Sequence, residues 1–261
     1  MLKNISFILF FSLVIFYSTA ITDEKKKSEV GIDEKLGEFI KSEIHLYDEN
    51  GQTILFDDLF VEKKPVILNL VYYRCPGICS PLMTNLAKTL DNMDIQMGKD
   101  FKVVTVSFDF NEKYQVASEK KKNYFNLFKK KSPSEDSWRF LTGDSLNVSE
   151  LTDAVGFRYI KTDNDFIHPG VIIVLSPDKK ITRYIYGTEF LPFDIKLALI
   201  EASKGEIGTT ISRIVALCYS YDPDGKKYVL NVTRISGAVI LFALMIFGIS
   251  LFIVKKTRNK S

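Results

Sequence analysis

Residues 65–83 read PVILNLVYYRCPGICSPLM. The first nine form a continuous apolar and aromatic run, the pattern of a central strand buried on both faces. Beyond the cysteines, Ser80 can cap a helix and Pro81 can take its first position, while Leu82, Leu86 and Leu90 recur every four residues as a buried stripe. Cys75 and Cys79 are therefore expected in a strand-to-helix loop. A cysteine there lies near unpaired backbone N–H groups and the positive end of the helix dipole, which lowers the thiol pKa, and Arg74 adds to the effect. Thiolate serves both as redox nucleophile and as soft metal ligand, so the loop alone leaves three readings open: a disulfide switch, part of a metal site, or a structural staple.

The flanking sequence supplies the rest of a fold. Ile44 and Leu46, then Asn50-Gly51, then Ile54 and Leu55 mark a hairpin with its turn at Asn-Gly. KVVTVSFDF reads as a second buried strand ending near Asp109, followed by a lysine-rich helix from about Glu112 to Lys131. WRFLTG, GVIIVLS and ITRYIYG read as strands, NVSELTDAVGF as a helix stopped by Gly156, and LPFDIKLALIEASKG as a last helix ended by Gly205. Strands alternating with helices, then an antiparallel hairpin and a helix, predict an α/β fold of thioredoxin-like order, a mixed central sheet with flanking helices.

The two ends of the chain carry a different message. Lys3, the apolar stretch Ile5 to Phe16 and the small residues Ser18 and Ala20 read as a signal peptide over 1–20, with an uncleaved anchor as the alternative. Residues 21–35 are a charged linker, 36–205 the globular domain and 206–234 a juxtamembrane segment containing CYSYDPDGKKY. Residues 235–254, ISGAVILFALMIFGISLFIV, are uncharged and about as long as the ~20 residues a membrane-crossing helix needs. The basic tail 255–261 then sits in the cytoplasm by the positive-inside rule, which places the domain on the outer side of the membrane in a single-pass arrangement. A net charge of +3 offers no bulk electrostatic case for a nucleic-acid partner.

Three cysteines are too few for a disulfide scaffold in 261 residues, so chemistry outranks stapling. Three residues, Pro76, Gly77 and Ile78, separate Cys75 from Cys79, where a thioredoxin-type redox loop has two. Two converging thiolates and one imidazole make a three-coordinate soft site suited to Cu(I), whereas structural zinc takes four ligands. Of the two histidines, His168 lies just before a predicted central strand, where such a sheet brings a loop beside the cysteines; His45, inside the first hairpin, reads as structural. Cys218 is open between a redox partner, an extra ligand, an intermolecular disulfide and an inert buried thiol. The lysines of 120–122 and 129–131 read as a solvated surface beside a packed face of Tyr124, Leu127 and Phe128.

YYRCPGICSPLM, VVTVSFDF, WRFLTG, AVGFRY and the His168 segment, in that order, resemble the Sco/SenC family of membrane-anchored, thioredoxin-like copper proteins over roughly residues 40–200. CYSYDP and the C-terminal anchor resemble a bacterial subgroup. The resemblance implies copper, as Cu(I) or Cu(II), on Cys75, Cys79 and His168, and a metallochaperone role in assembling the CuA centre of cytochrome c oxidase. It implies as partners the copper-accepting oxidase subunit, a copper donor or thiol reductant, and the membrane. The alternative is a thiol-disulfide oxidoreductase using Cys75 and Cys79 as a redox-active pair on the oxidase subunit; a peroxidase of the same fold leaves His168 without a task. The family's second acid beyond Asp109 is replaced by Tyr114, and Asp109 itself is open between steering a partner, adjusting the electrostatics of the site, and a helix-capping or hydrogen-bonding role.

Overall fold

The computed structural model describes residues 30–208 apart from 41, 42 and 164, together with 219–222, 227–230 and eight positions between 236 and 248. The expected signal peptide, residues 21–29 of the linker, Cys218 and the basic tail lie outside the described residues. So does most of the expected span 235–254, whose eight described positions are helical. Among the described residues no helix is long and apolar enough to cross a membrane.

Strand β1 (His45–Tyr47) and β2 (Thr53–Leu55) form the predicted hairpin, in the register His45↔Leu55. Its turn follows from Asp48, whose carboxylate accepts from the N–H groups of Asn50 and Gln52, and from Gly51 at φ +80°. Next come β3 (Val66–Val71), α1 (Cys79–Asn92), β4 (Lys102–Ser107), α2 (Tyr114–Phe125), β5 (Trp138–Leu141) and α3 (Ser145–Ala154). The chain continues through the short strands β6 (Ile160–Lys161) and β7 (Phe166–Ile167), then β8 (Val171–Leu175), β9 (Ile181–Tyr186) and α4 (Pro192–Ser203). A hairpin of β10 (Tyr219–Asp222) and β11 (Lys227–Leu230) falls in the expected juxtamembrane segment.

The central sheet runs β9-β8-β3-β4-β5. β3, β4 and β5 are parallel, while β8 is antiparallel to both β3 and β9, so the sheet is mixed as the element order predicts. Every residue of β3 and of β8 is buried, which accounts for the unbroken apolar run of β8 and for the run of β3, interrupted by Asn69. Tyr124 of α2 stacks on Trp138 and Phe140 of β5, with ring centroids 6.2 and 6.0 Å apart. Both edges of the sheet are met by other parts of the chain. Tyr47 exchanges two backbone hydrogen bonds with Thr142, and the Phe140 N–H just before it donates to the Glu49 carboxylate. On the far side, Ile181 exchanges backbone bonds with Gly37 and Glu38, and the Gly208 N–H donates to the Thr182 carbonyl.

Two helix boundaries differ from expectation, each for a local reason. α1 begins at Cys79 rather than at Pro81: Ile78 is its cap, and the Leu82 N–H donates to the Ile78 carbonyl at 3.0 Å. Pro81 is then the third helical residue, where its missing N–H still falls among the groups with no helical partner. α2 is shorter than the expected 112–131. At its start Glu112 turns into the interior, and past its end the N–H groups of Lys129, Lys130 and Lys131 all donate to the carboxylate of Asp91. α3 ends as predicted at Gly156, which has φ +66° and lies so close to Asp33 that a Cβ would meet its carbonyl oxygen.

The chain divides into two compact units. The larger, Asp33–Phe157 with the chain from Gly170 onward, contains the sheet and its helices. The smaller comprises the chain up to Ile32 together with Arg158–Pro169 and contains the β6–β7 hairpin, paired Ile160↔Ile167 and Lys161↔Phe166.

Candidate metal centre

β3 delivers the chain to the cysteines through Tyr72, Tyr73 and Arg74. Tyr73 is buried, and its hydroxyl donates toward the carbonyls of Leu141 and Thr105 at 2.8 and 3.2 Å, so it ties the end of β3 across β4 to β5. Burial pushes its phenol well above the ordinary value. Tyr72 packs on Phe108, ring centroids 5.5 Å apart.

Cys75 and Cys79 are both reduced and both buried, at 8% and 4% exposure. The Gly77 N–H donates to the Cys75 sulfur at 3.3 Å, so the turn at Pro76-Gly77 points a backbone dipole at the thiol. Cys79 belongs to the first turn of α1, not to the loop as its sequence suggests. The expected lowering of the thiol pKa is not what this environment produces. Burial first, then the hydrogen bond and charge of the Cys75 sulfur, push the Cys79 thiol far up; a backbone hydrogen bond at Tyr72 opposes them. Arg74 is exposed and does not reverse this. Tyr124, hydrogen-bonded to Ser80, borders the same helix start, and burial raises its phenol.

His168 is buried at 6% exposure, and its Nδ1 lies 3.1 Å from the Pro169 carbonyl. A carbonyl only accepts, so Nδ1 carries the proton and Nε2 keeps the lone pair that a metal ion would use. Two residues further on, Gly170 lies against the first turns of α1: a Cβ there would be 3.4 Å from Ile78 and 3.8 Å from Leu82. One ligand atom from each of Cys75, Cys79 and His168 lies within 4.8 Å of the others, a donor set that could hold a metal ion. Two sulfurs and one nitrogen, all buried, fit a soft ion such as copper. His45 is exposed on β1 beside Glu43 and has no part in the group.

The residue that sequence reasoning misses is Glu112. It is 2% exposed, and its carboxylate accepts from the Tyr73 N–H at 2.7 Å, the Arg74 N–H at 2.8 Å and the Ser107 hydroxyl at 2.6 Å. Burial raises its pKa, against the pull of those three donors. At the start of an expected helix a glutamate reads as an ordinary dipole-compensating residue. Only the fold shows that its partners lie on the cysteine loop. Asp109 caps a turn, accepting from the backbone and side-chain nitrogens of Asn111 at 3.0 and 2.7 Å. Tyr114 opens α2 and lays its ring over Gly51, where a Cβ would come within 2.9 Å of it.

Residues 33–196 match the model of the SCO1/SenC family. The chain belongs to the SCO1/SenC family. Among curated proteins none matches it. Of solved structures, a protein of Aquifex aeolicus VF5 assigned to electron transfer is 31% identical, with a TM-score of 0.58 over 66% of this chain and 96% of its own. Arabidopsis thaliana ScoI, solved with copper bound, is 21% identical, with a TM-score of 0.51 over 63% of this chain and 98% of its own. BsSco, a Sco-family cytochrome c oxidase assembly protein with a disulfide switch, is 18% identical, with a TM-score of 0.52 over 67% and 99%. The last two likenesses speak for the fold, which is the thioredoxin-like arrangement of Sco proteins. BsSco belongs to a Sco family of cytochrome c oxidase assembly proteins, and the Arabidopsis ScoI structure holds copper.

Proposed function

We propose that this SCO1/SenC protein is a copper metallochaperone that holds copper on Cys75, Cys79 and His168. It passes the ion by ligand exchange to the copper-accepting subunit of cytochrome c oxidase, in assembly of the CuA centre. The observation that carries this reading is the buried group of two thiols and one imidazole with ligand atoms within 4.8 Å of one another. The thiols give up their protons as the ion arrives, and the Pro169 carbonyl holds His168 in the tautomer that offers Nε2. Two thiolates leave one net negative charge around Cu(I) and none around Cu(II), so both states suit the donor set. X-ray absorption on the purified, copper-loaded chain tests this: sulfur and nitrogen scattering is expected in the wild type, and His168→Ala should lose the nitrogen contribution and bind copper about 10- to 100-fold more weakly. Unchanged copper affinity in His168→Ala would sink the three-ligand site.

A second reading rests on the two reduced thiols, which are hydrogen-bonded to each other. Such a pair can close to a disulfide and reduce the cysteines of the oxidase subunit with no bound metal. In that case Cys75→Ser abolishes activity and His168→Ala spares it.

For topology, we read residues 1–20 as the signal peptide and 235–254 as the membrane anchor, with the domain on the extracytoplasmic side and 255–261 in the cytoplasm. The support is the length and uncharged character of 235–254 and the four basic residues Lys255, Lys256, Arg258 and Lys260 behind it.

A further inference from the structure

Glu112 stands apart from the ligand set yet grips the segment that leads into it. One carboxylate oxygen takes the Tyr73 N–H and the other the Arg74 N–H, so a single rigid group fixes two successive peptide planes immediately before Cys75. Ser107 Oγ accepts the Asp109 N–H at 3.2 Å and shares a 2.6 Å hydrogen bond with Glu112. A buried carboxylate is costly unless fully hydrogen-bonded, and here the donors come from two different strand ends, β3 and β4. On the other side of the loop Cys79 is fixed as the first residue of α1. Only Pro76, Gly77 and Ile78 are left to adjust between the two anchored cysteines. A disulfide needs its sulfurs ~2.05 Å apart in a narrow torsional range, so closing one draws Cys75 toward α1 against the grip of Glu112.

We propose that Glu112 is the positioning residue of the thiol loop: by holding the backbone of Tyr73 and Arg74 it keeps Cys75 and Cys79 as a metal-ready dithiol and disfavours their disulfide. This rests on the metal-site reading above, and its test works without metal. The full chain, in a Cys218→Ser background and freed of metal, is equilibrated with reduced and oxidised dithiothreitol, and its thiols are counted by alkylation. In the exchange the dithiothreitol disulfide breaks and the Cys75–Cys79 bond forms. Two electrons and two protons pass to dithiothreitol, which leaves as the dithiol. Glu112→Gln should shift this equilibrium about tenfold toward the protein disulfide, about 30 mV more negative for the two-electron couple. Ser107→Ala, which leaves both backbone contacts in place, should shift it less. Hydrogen exchange supplies the readout that a general loss of stability would not give. The amides of Tyr73 and Arg74 should exchange about tenfold faster in Glu112→Gln while those inside β3 keep their rates. An equilibrium within twofold of wild type, or a shift toward the dithiol, overturns the proposal. If Glu112→Gln does not fold, the wild type decides: Tyr73 and Arg74 amides that exchange as fast as exposed ones overturn it, and protected ones support it. A wild type that binds no copper overturns the metallochaperone reading alone, because the dithiothreitol equilibrium still decides Glu112.

Discussion

At Cys79 two opposing influences meet on one sulfur. A helix N-terminus favours a negative group by up to about 2 kcal/mol, or roughly 1.5 pKa units. Burial can raise the pKa of an ionisable group by about 3–5 units, and a second thiol close by adds to it. Burial prevails at Cys79, whose thiol is held far above the ordinary value. Metal must then displace the Cys79 proton, so the apparent copper affinity rises with pH throughout the neutral range. Competition against a chromophoric chelator should show at least one proton released per ion bound, and alkylation of Cys79 in the metal-free chain should be slow at pH 7 and quicken as pH rises. The candidate ligands stand out in the sequence because a cysteine pair and a histidine are scarce, chemically distinctive side chains. Glu112 is not, since its meaning lies in backbone N–H groups 38 and 39 positions away. The sign of the thiol shift is hidden for a similar reason: the spacing shows the helix start, but burial is a property of the folded whole.

Helix α1 is fastened at its far end by a side chain turned outward from its last turn. Asp91 is buried, and the N–H groups of three successive lysines converge on its carboxylate at about the same distance, 3.0 Å. Burial alone would raise its pKa, but these three bonds outweigh it and hold the carboxyl below the ordinary value. A depressed carboxyl contributes stability that is whole above the unfolded pKa of ~3.9 and fades as pH falls through the folded value. Asp91→Ala should cost about 2 kcal/mol in denaturant unfolding at pH 7 and flatten the loss of stability below pH ~4. The lysine run explains why the sequence misleads here. By composition 129–131 is a solvated surface, yet its backbone forms a cradle, and the Lys131 ammonium reaches the carbonyls of Leu90 and Ile95. Lys121 likewise pairs with the buried Glu49 and with Glu135. The strands are more legible than the helix limits, because two-sided burial writes a largely apolar run. A helix limit, by contrast, turns on single side chains such as Glu112 and on where a carbonyl finds its partner.

On the scale of the whole chain, the thioredoxin-like order of elements is legible from alternating patterns alone, and the family match over 33–196 agrees with it. The ends are a separate matter, argued from hydropathy. If 235–254 is the anchor, the full chain should stay with membranes through an alkaline carbonate wash, and a chain ending at Arg234 should be released to the soluble fraction with its copper binding retained. Full retention in the membrane after that truncation would remove the C-terminal anchor from the reading. If the chain carries copper as proposed, the capped margins of the central sheet bear on how it meets its acceptor. A visiting strand that sought the β5 margin would first have to dislodge Glu49 from Phe140 and Tyr47 from Thr142; at β9 it would have to displace Gly37, Glu38 and Gly208. Recognition by strand addition is thereby discouraged. Selectivity for the acceptor is left to side chains and loops, where weak, reversible contact suits a cargo that must be released.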